Sequence, residues 1–153
     1  MPGSRTGSPR ATAQDSTVYV DTARNVHIVD GGRDVRITHD GRYRDAKRSL
    51  EGGAIGALVT STLEPDMVSR DSLEVAEVLL IWRGGRVIRR FTPGGYIRAW
   101  SFANRGHAVA VYSGALHFAG FYVLYDLSRG REVANAEDPV TDRSPEWVRS
   151  LAP

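Results

Sequence analysis

Hydrophobic residues along this chain fall in short runs of β-branched and aromatic side chains separated by glycine turns. The run Val26–Val29 is followed by Asp30-Gly31-Gly32, and the β-type pattern resumes at Val35. The same pattern recurs over residues 78–91 around Gly84-Gly85. Two such runs joined by a glycine pair predict a β-hairpin, because glycine adopts positive φ readily. Most of the chain is therefore expected to form antiparallel strands.

The two hairpin patterns belong to a longer internal repeat. Residues 30–61 align without a gap on residues 83–114, a shift of 53 positions, and nine positions are identical. The shared residues include both glycine pairs and the tyrosines Tyr43 and Tyr96. A shorter third unit is expected from the strand-like run at 121–127 and the turn that follows it. The pattern predicts repeated hairpin units, arranged either as propeller-like blades or as a small sandwich.

The last ten residues carry the strongest helix signal. Ser144 is a suitable N-cap, and Pro145 suits the first helical position. Trp147, Val148 and Leu151 would then share one face, which predicts a short C-terminal helix docked on the sheets. The polar stretch 62–77 is instead expected to be a long loop with one helical turn near Asp71–Ala76.

Residues 1–16 contain almost nothing to bury and are predicted to be a disordered tail, which leaves residues 17–153 as one β-rich domain. Ala11-Thr12-Ala13 before Gln14 has the small-x-small form of a signal-peptidase site, although no apolar segment precedes it. The match is either accidental or the remnant of a signal peptide. It favours a periplasmic or secreted protein, with a cytoplasmic one as the alternative.

The charges are nearly balanced but unusual in kind. Lysine and arginine together number 20 against 18 acids, and Lys47 is the one lysine. Codon bias in a GC-rich bacterial genome explains this, and so does bidentate recognition of carboxylate or phosphate. A net charge of +2 predicts no nucleic-acid partner. The chain has no apolar run long enough to predict a membrane span.

The strand pattern resembles one blade of a β-propeller. The resemblance rests on Ile97–Phe102, on Asn104-Arg105-Gly106, on Ala108–Val111, on Tyr122–Leu127 and on Gly130. Blades of this kind end a strand near Trp or Phe, turn at glycine, and close a later strand with a Tyr-x-Asp-like element.

The resemblance covers residues 26–138, which is about two blades and part of a third. The Trp-Asp pair of the WD40 type is absent. Propellers need four to eight blades, so this chain alone would not close a ring. The resemblance implies a binding surface more often than an enzyme, and it allows a ring assembled from several copies.

No sequence motif indicates catalysis or a cofactor. The chain has no cysteine, no Gly-x-Ser-x-Gly elbow and no phosphate loop. Its four histidines lack the spacing of metal ligands, so neither a metal nor a cofactor is expected. Four carboxylates are nominal candidates for paired acid chemistry, although solvated or turn-capping roles explain them better: Glu64, Asp66, Asp71 and Asp126.

The segment Tyr112–Tyr122 is the candidate binding site. It joins two strands through a loop that is too apolar for an ordinary turn, with His117 and Phe118 at its centre. The candidate ligand-binding residues are Tyr112, His117, Phe118, Tyr122 and Arg98. The alternative is a loop folded back over the core, with His117 hydrogen-bonded.

A second charged feature is the cluster Arg83, Arg86, Arg89 and Arg90, which is either a solvated, edge-protecting surface or an anion-binding patch.

Three functions remain open. The first is an exported bacterial domain that binds a protein or small molecule without catalysis. The second is a small hydrolase, which needs two carboxylates converging in a pocket. The third is a structural subunit of a propeller-like homo-oligomer, which needs matched sheet edges at both ends.

Overall fold

The computed structural model describes residues 17–67 and 70–152, and it confirms an all-β fold with a short C-terminal helix. Its three sheets are antiparallel, and within each sheet the strands follow chain order. The first sheet contains β1 (Thr17–Val20), β2 (Val26–Asp30) and β3 (Arg33–Arg36). The second contains β4 (Tyr43–Arg48), β5 (Ile55–Leu63), β6 (Leu73–Arg83) and β7 (Arg86–Phe91). The third contains β8 (Tyr96–Ala103), β9 (Ala108–Gly114), β10 (Phe121–Asp126) and β11 (Arg131–Glu137).

The sheets stack in chain order, with a hydrophobic cluster between each neighbouring pair. Val26 and Ile28 of the first sheet pack against Tyr43 and Trp82 of the second. A second cluster joins Leu58, Leu79 and Ile81 to Trp100 and Val111 of the third sheet. The other face of the third sheet is covered by the C-terminal helix through Val148 and Leu151.

Successive connections lie at opposite ends of this stack, because each strand runs antiparallel to its neighbour. The β2–β3, β6–β7 and β10–β11 turns share one end, which we call the tip end. Arg33 of the first sheet and Gly85 of the second line one depression there. Arg89 of the second sheet donates to the Leu127 carbonyl of the third over 2.8 Å. The β5–β6 and β9–β10 connections share the other end, which we call the loop end.

Turn chemistry accounts for the strand boundaries at the tip end. Gly31 and Gly32 have φ of 57° and 80°, and Gly84 and Gly85 have 58° and 75°. Both pairs thus provide the two consecutive positive φ values of a tight hairpin turn. Under the shift of 53 positions, the first residues of β3, β4 and β5 fall on those of β7, β8 and β9.

Two sequence expectations about secondary structure are wrong. The long loop expected at 62–77 is shorter, because β5 runs to Leu63 and β6 begins at Leu73. No helical turn forms at 71–76, since Val75 and Ala76 are buried on a strand. Core packing here overrides a polar local sequence.

The C-terminal helix, α1 (Glu146–Arg149), begins one residue later than expected. Pro145, not Ser144, occupies the N-cap, and no side chain caps the helix. The Ser144 hydroxyl instead accepts a hydrogen bond from the Thr141 N–H at 2.9 Å, which commits it to the preceding turn. Val148 and Leu151 are buried as expected, and Trp147 packs beside them.

The expected disordered tail, residues 1–16, lies outside the described residues. Within the part of the chain that the structure describes, no helix has the length and apolarity to cross a membrane.

Candidate functional site

The β9–β10 loop at the loop end exposes apolar side chains. Phe118 is 74% exposed and Leu116 is 41% exposed. Leu73, at the start of β6 in the neighbouring sheet, is 44% exposed and lines the same surface depressions as Leu116. The loop therefore does not fold back over the core, and its apolar side chains face solvent.

Arg98 fixes the backbone of this loop through hydrogen bonds. Its guanidinium donates to the Phe118 carbonyl at 2.5 Å and also to the Ala115 carbonyl. It further donates to the Tyr112 hydroxyl at 3.0 Å and lies 5.1 Å from the centre of the Tyr112 ring. One planar cation thus fixes both ends of the 115–118 turn, a geometry that suits the arginine fork.

Asp138, in the segment that follows β11, fixes the other end of the β9–β10 loop. Its Oδ2 accepts hydrogen bonds from the Tyr112 hydroxyl at 2.7 Å and from the Gly120 N–H at 3.0 Å. The Tyr112 hydrogen bond, as the main favourable contact, holds the pKa of Asp138 below its usual range. Burial, followed by the nearby Asp138 charge, raises the pKa of Tyr122 to about 12.

Gly120 is required where the loop rejoins β10. A Cβ at this position would collide with the Tyr112 ring and lie 2.6 Å from the Ser113 carbonyl oxygen. The loop is therefore fixed by Arg98, Asp138 and a close backbone approach.

The structure brings the five predicted site residues together but gives them different environments. Tyr112 and Tyr122 stack with ring centres 4.4 Å apart and are buried beneath the loop. Arg98 lies between these tyrosines and the loop carbonyls. Arg98, His117 and Phe118 are exposed, but the Arg98 guanidinium is hydrogen-bonded to the loop carbonyls, which leaves the side chains of His117 and Phe118 for contact with a ligand. A ligand at the loop would meet these two side chains, while the other three support them.

Beside the loop lies a cleft of about 280 Å³ between the second and third sheets. We call it the loop-end cleft. Its lining combines three leucines, three carboxylates and one histidine: Leu63, Leu73, Leu116, Glu64, Asp66, Asp71 and His117. The three carboxylate residues are exposed. Leucines and carboxylates thus line the cleft together, and we call the three exposed carboxylates its acidic rim.

Asp126, the fourth nominal carboxylate, has no part in this cleft. It lies at the tip end and accepts hydrogen bonds from the N–H groups of Ser128 and Arg129 at 2.9 and 3.1 Å. The Ser128 hydroxyl also donates to Asp126, and this hydrogen bond, followed by those from the N–H groups, lowers the pKa of Asp126. Asp126 therefore caps the β10–β11 turn.

The outer face of the first sheet carries a polar cluster that was not predicted from the sequence. The His27 ring nitrogens contact Asp21 Oδ2 at 2.6 Å and Asp34 Oδ1 at 2.7 Å. Tyr19 stacks on the imidazole at 4.8 Å and donates to Asp34. The hydrogen bond to Asp34, then that to Asp21, raises the pKa of His27.

This cluster is a charged clamp between the β1–β2 turn and β3. Both imidazole nitrogens are engaged by carboxylates, so neither is free to bind a ligand. Among residues 17–67 and 70–152, no group of three or more His, Asp or Glu side chains is placed to hold a metal ion.

Comparison with models of known protein families, with curated proteins and with solved structures finds no match to this chain.

Proposed function

We propose that this protein is a non-catalytic binding domain that holds a basic and apolar peptide segment of a partner protein at the loop end. The observation that carries the proposal is the exposed, largely apolar loop at 115–119, which is fixed by hydrogen bonds to Arg98 and, through Gly120, to Asp138. Apolar side chains presented on a fixed backbone are typical of a preformed interface, because little entropy is lost when they dock.

The apolar part of the partner is expected to cover Phe118 and enter the loop-end cleft against Leu73 and Leu116. Aromatic residues dominate the free energy of binding at many interfaces, which makes Phe118 the expected anchor. Its high exposure supports this assignment.

The charge of the partner follows from the rim of the same cleft. Glu64, Asp66 and Asp71 place negative charge beside the leucines. A lysine- or arginine-rich segment complements this rim, while an acidic one is repelled. His117 lines the same cleft and can accept or donate a hydrogen bond through its ring nitrogens.

The proposed scaffold is blade-like. Each four-stranded sheet is an antiparallel meander, the sheets stack face to face, and equivalent strands begin at positions related by the repeat. These features support a propeller-type repeat of two full blades and one of three strands. The helix α1 covers the outer face of the third sheet. This cover disfavours assembly of a ring through that face.

A peptide titration tests the proposed function. Two labelled peptides would share leucines at the same positions, one carrying arginines and the other glutamates, with binding followed by fluorescence anisotropy. The parent protein should bind the basic peptide at least tenfold more tightly, and Phe118→Ser should weaken that binding about tenfold or more.

Leu50→Ser provides the matched control, because Leu50 is a large apolar residue that is highly exposed, like Phe118, but lies at the tip end. It should bind as the parent does. Equal binding of both peptides, or equal losses in the two variants, would contradict the proposal.

Hydrolysis by paired carboxylates is a second candidate, favoured by the three carboxylates that line one cleft. Their exposure argues against it, because a carboxyl that acts as general acid is usually held in an apolar pocket. A screen of glycoside and ester substrates would favour this candidate if turnover appeared and were lost in Glu64→Gln.

A further inference from the structure

Three exposed arginines occupy equivalent positions at the tip end of the three stacked sheets. Arg33, Arg86 and Arg131 are the first residues of β3, β7 and β11, and each directly follows a glycine with positive φ. We call these three residues the arginine ladder. Each side chain is exposed, and none forms an ion pair with any residue that the structure describes.

The structure separates Arg86 from Arg83 and Arg89 of the 83–90 cluster. Arg89 donates to the Leu127 and Ser128 carbonyls, and Arg83 donates to the Gly52 carbonyl at 3.0 Å. Each of these two arginines therefore joins its own strand to a neighbouring turn. Arg86 makes no such contact and instead repeats the placement of Arg33 and Arg131.

The ladder is also held in place by its turns. The β2–β3 and β6–β7 turns are two-residue glycine turns, and Asp126 caps the β10–β11 turn through two N–H groups. Sheets that pack face to face lie about 10 Å apart, so we expect the three arginines to recur along the tip end at intervals of that order.

Charge is distributed unevenly between the two ends of the stack. The loop end carries Glu64, Asp66 and Asp71, whereas arginines predominate over acids in the tip-end turns. The small net charge therefore conceals a basic surface. The overall charge, which predicts no nucleic-acid partner, does not reveal this basic end of the stack.

We infer that the arginine ladder binds the phosphate backbone of a nucleic-acid duplex without reading its sequence. A duplex offers closely spaced phosphates along a rigid axis, so a row of exposed arginines finds partners in any register. Arginine contacts phosphate through two parallel hydrogen bonds. The tip turns carry glycine, serine and arginine and no aromatic side chain, which favours a duplex over a single strand that needs stacking platforms.

Salt-dependent binding of a duplex tests the inference. The full-length parent and the triple variant R33Q/R86Q/R131Q would be titrated against a labelled DNA duplex of about 20 base pairs, from roughly 50 to 200 mM salt. The parent should bind, and the slope of log K against log salt should be smaller in the variant by about 2 to 3, close to one per lost phosphate contact.

The matched control is R70Q/R143Q/R149Q, which removes the same charge from exposed arginines away from the ladder. Arg5 and Arg10 are unchanged in both variants, so any contribution they make cancels. The control should keep the parental slope within about 0.5, well below the change of one expected per lost phosphate contact.

Three results would overturn the inference. They are no duplex binding by the parent at roughly 50 mM salt, an equal loss of slope in the control, and ladder-dependent binding only to a sulfated polysaccharide or to phosphatidylserine vesicles. If the triple variant fails to fold by circular dichroism, the three single variants decide the question. Each should then lower the slope by about one, and unchanged slopes would overturn the inference.

Discussion

The indole N–H of Trp100 donates to the backbone oxygen of Asp45 at 3.0 Å, which joins the third sheet to the second at the centre of the stack. Trp100 is fully buried there, and the Lys47 ammonium lies 5.1 Å from its ring centre. The ring therefore fills the space between the two sheets while its one polar atom stays hydrogen-bonded.

Replacing Trp100 with alanine should remove much of the contact between these sheets. We expect Trp100→Ala to lower the free energy of unfolding by about 3–5 kcal/mol, the usual range for a large buried aromatic. Trp147→Ala, at a half-buried position on α1, should cost less. Reversible urea unfolding measures both, and a loss below about 1 kcal/mol at Trp100 would contradict its role in the core.

Gly56 makes the close approach to Trp100 feasible. A Cβ at this position would collide with the Trp100 ring and lie 2.8 Å from Ile81 Cδ1. Gly56→Ala should therefore destabilise the protein by about 1–3 kcal/mol, as overpacking does elsewhere. Its effect should shrink in a Trp100→Phe background, where the smaller ring leaves room. Equal losses in both backgrounds, measured by urea unfolding, would show that the collision is not the cause.

Asp138 should control the order of the β9–β10 loop. Asp138→Asn removes the charge that accepts hydrogen bonds from Tyr112 and Gly120, so the loop is expected to exchange its amide protons faster. Glu137→Gln, an exposed neighbour, serves as control. Because the pKa of Asp138 is lowered on folding, its stabilising effect should be present above the unfolded value and fade as pH falls. Hydrogen exchange that is unchanged in Asp138→Asn would contradict this role.

The His27 clamp should make stability depend on pH in the opposite direction. A raised pKa means that the contribution is fully present below the unfolded value, near 6.5, and is lost as pH rises through the folded value. Asp21 and Asp34 have lowered pKa values, Asp21 chiefly through the Asn25 N–H and Asp34 chiefly through Tyr19. Their contributions fade as the solution becomes strongly acidic.

The thermal midpoint of the parent minus that of His27→Gln should therefore be largest near pH 5 and should decline toward pH 8. The groups around His27 that bear on this titration are Tyr19 on β1, Asp21 in the turn, and Asp34 and Arg36 on β3. A difference that grows between pH 5 and 8 would contradict the sign of the effect.

The sequence predicted most reliably what depends on neighbours in the chain. Gly31-Gly32 and Gly84-Gly85 signal their turns locally, and the strands follow from those turns. The extension of β6 to Leu73 was missed because it depends on burial of Val75 and Ala76 against other strands.

The candidate site also combines features that the sequence predicted with features that it did not. The apolar loop was visible in the sequence, but Asp138 was not, because it contacts Tyr112 from 26 residues away without a local signal. The His27 clamp could have been found. Once the Gly31-Gly32 turn sets the register, Asp34 lies opposite Val29 and therefore diagonal to His27 on the same face.

Titration of isotope-labelled protein with the arginine–leucine peptide, followed by amide chemical shifts, tests the central claim most directly. We predict that the largest shift changes fall at residues 115–120 and 63–74, with little change at the glycine turns of the tip end. Shifts confined to the tip end or to the outer face of the first sheet, or no shifts at saturating peptide, would contradict a binding site at the loop end.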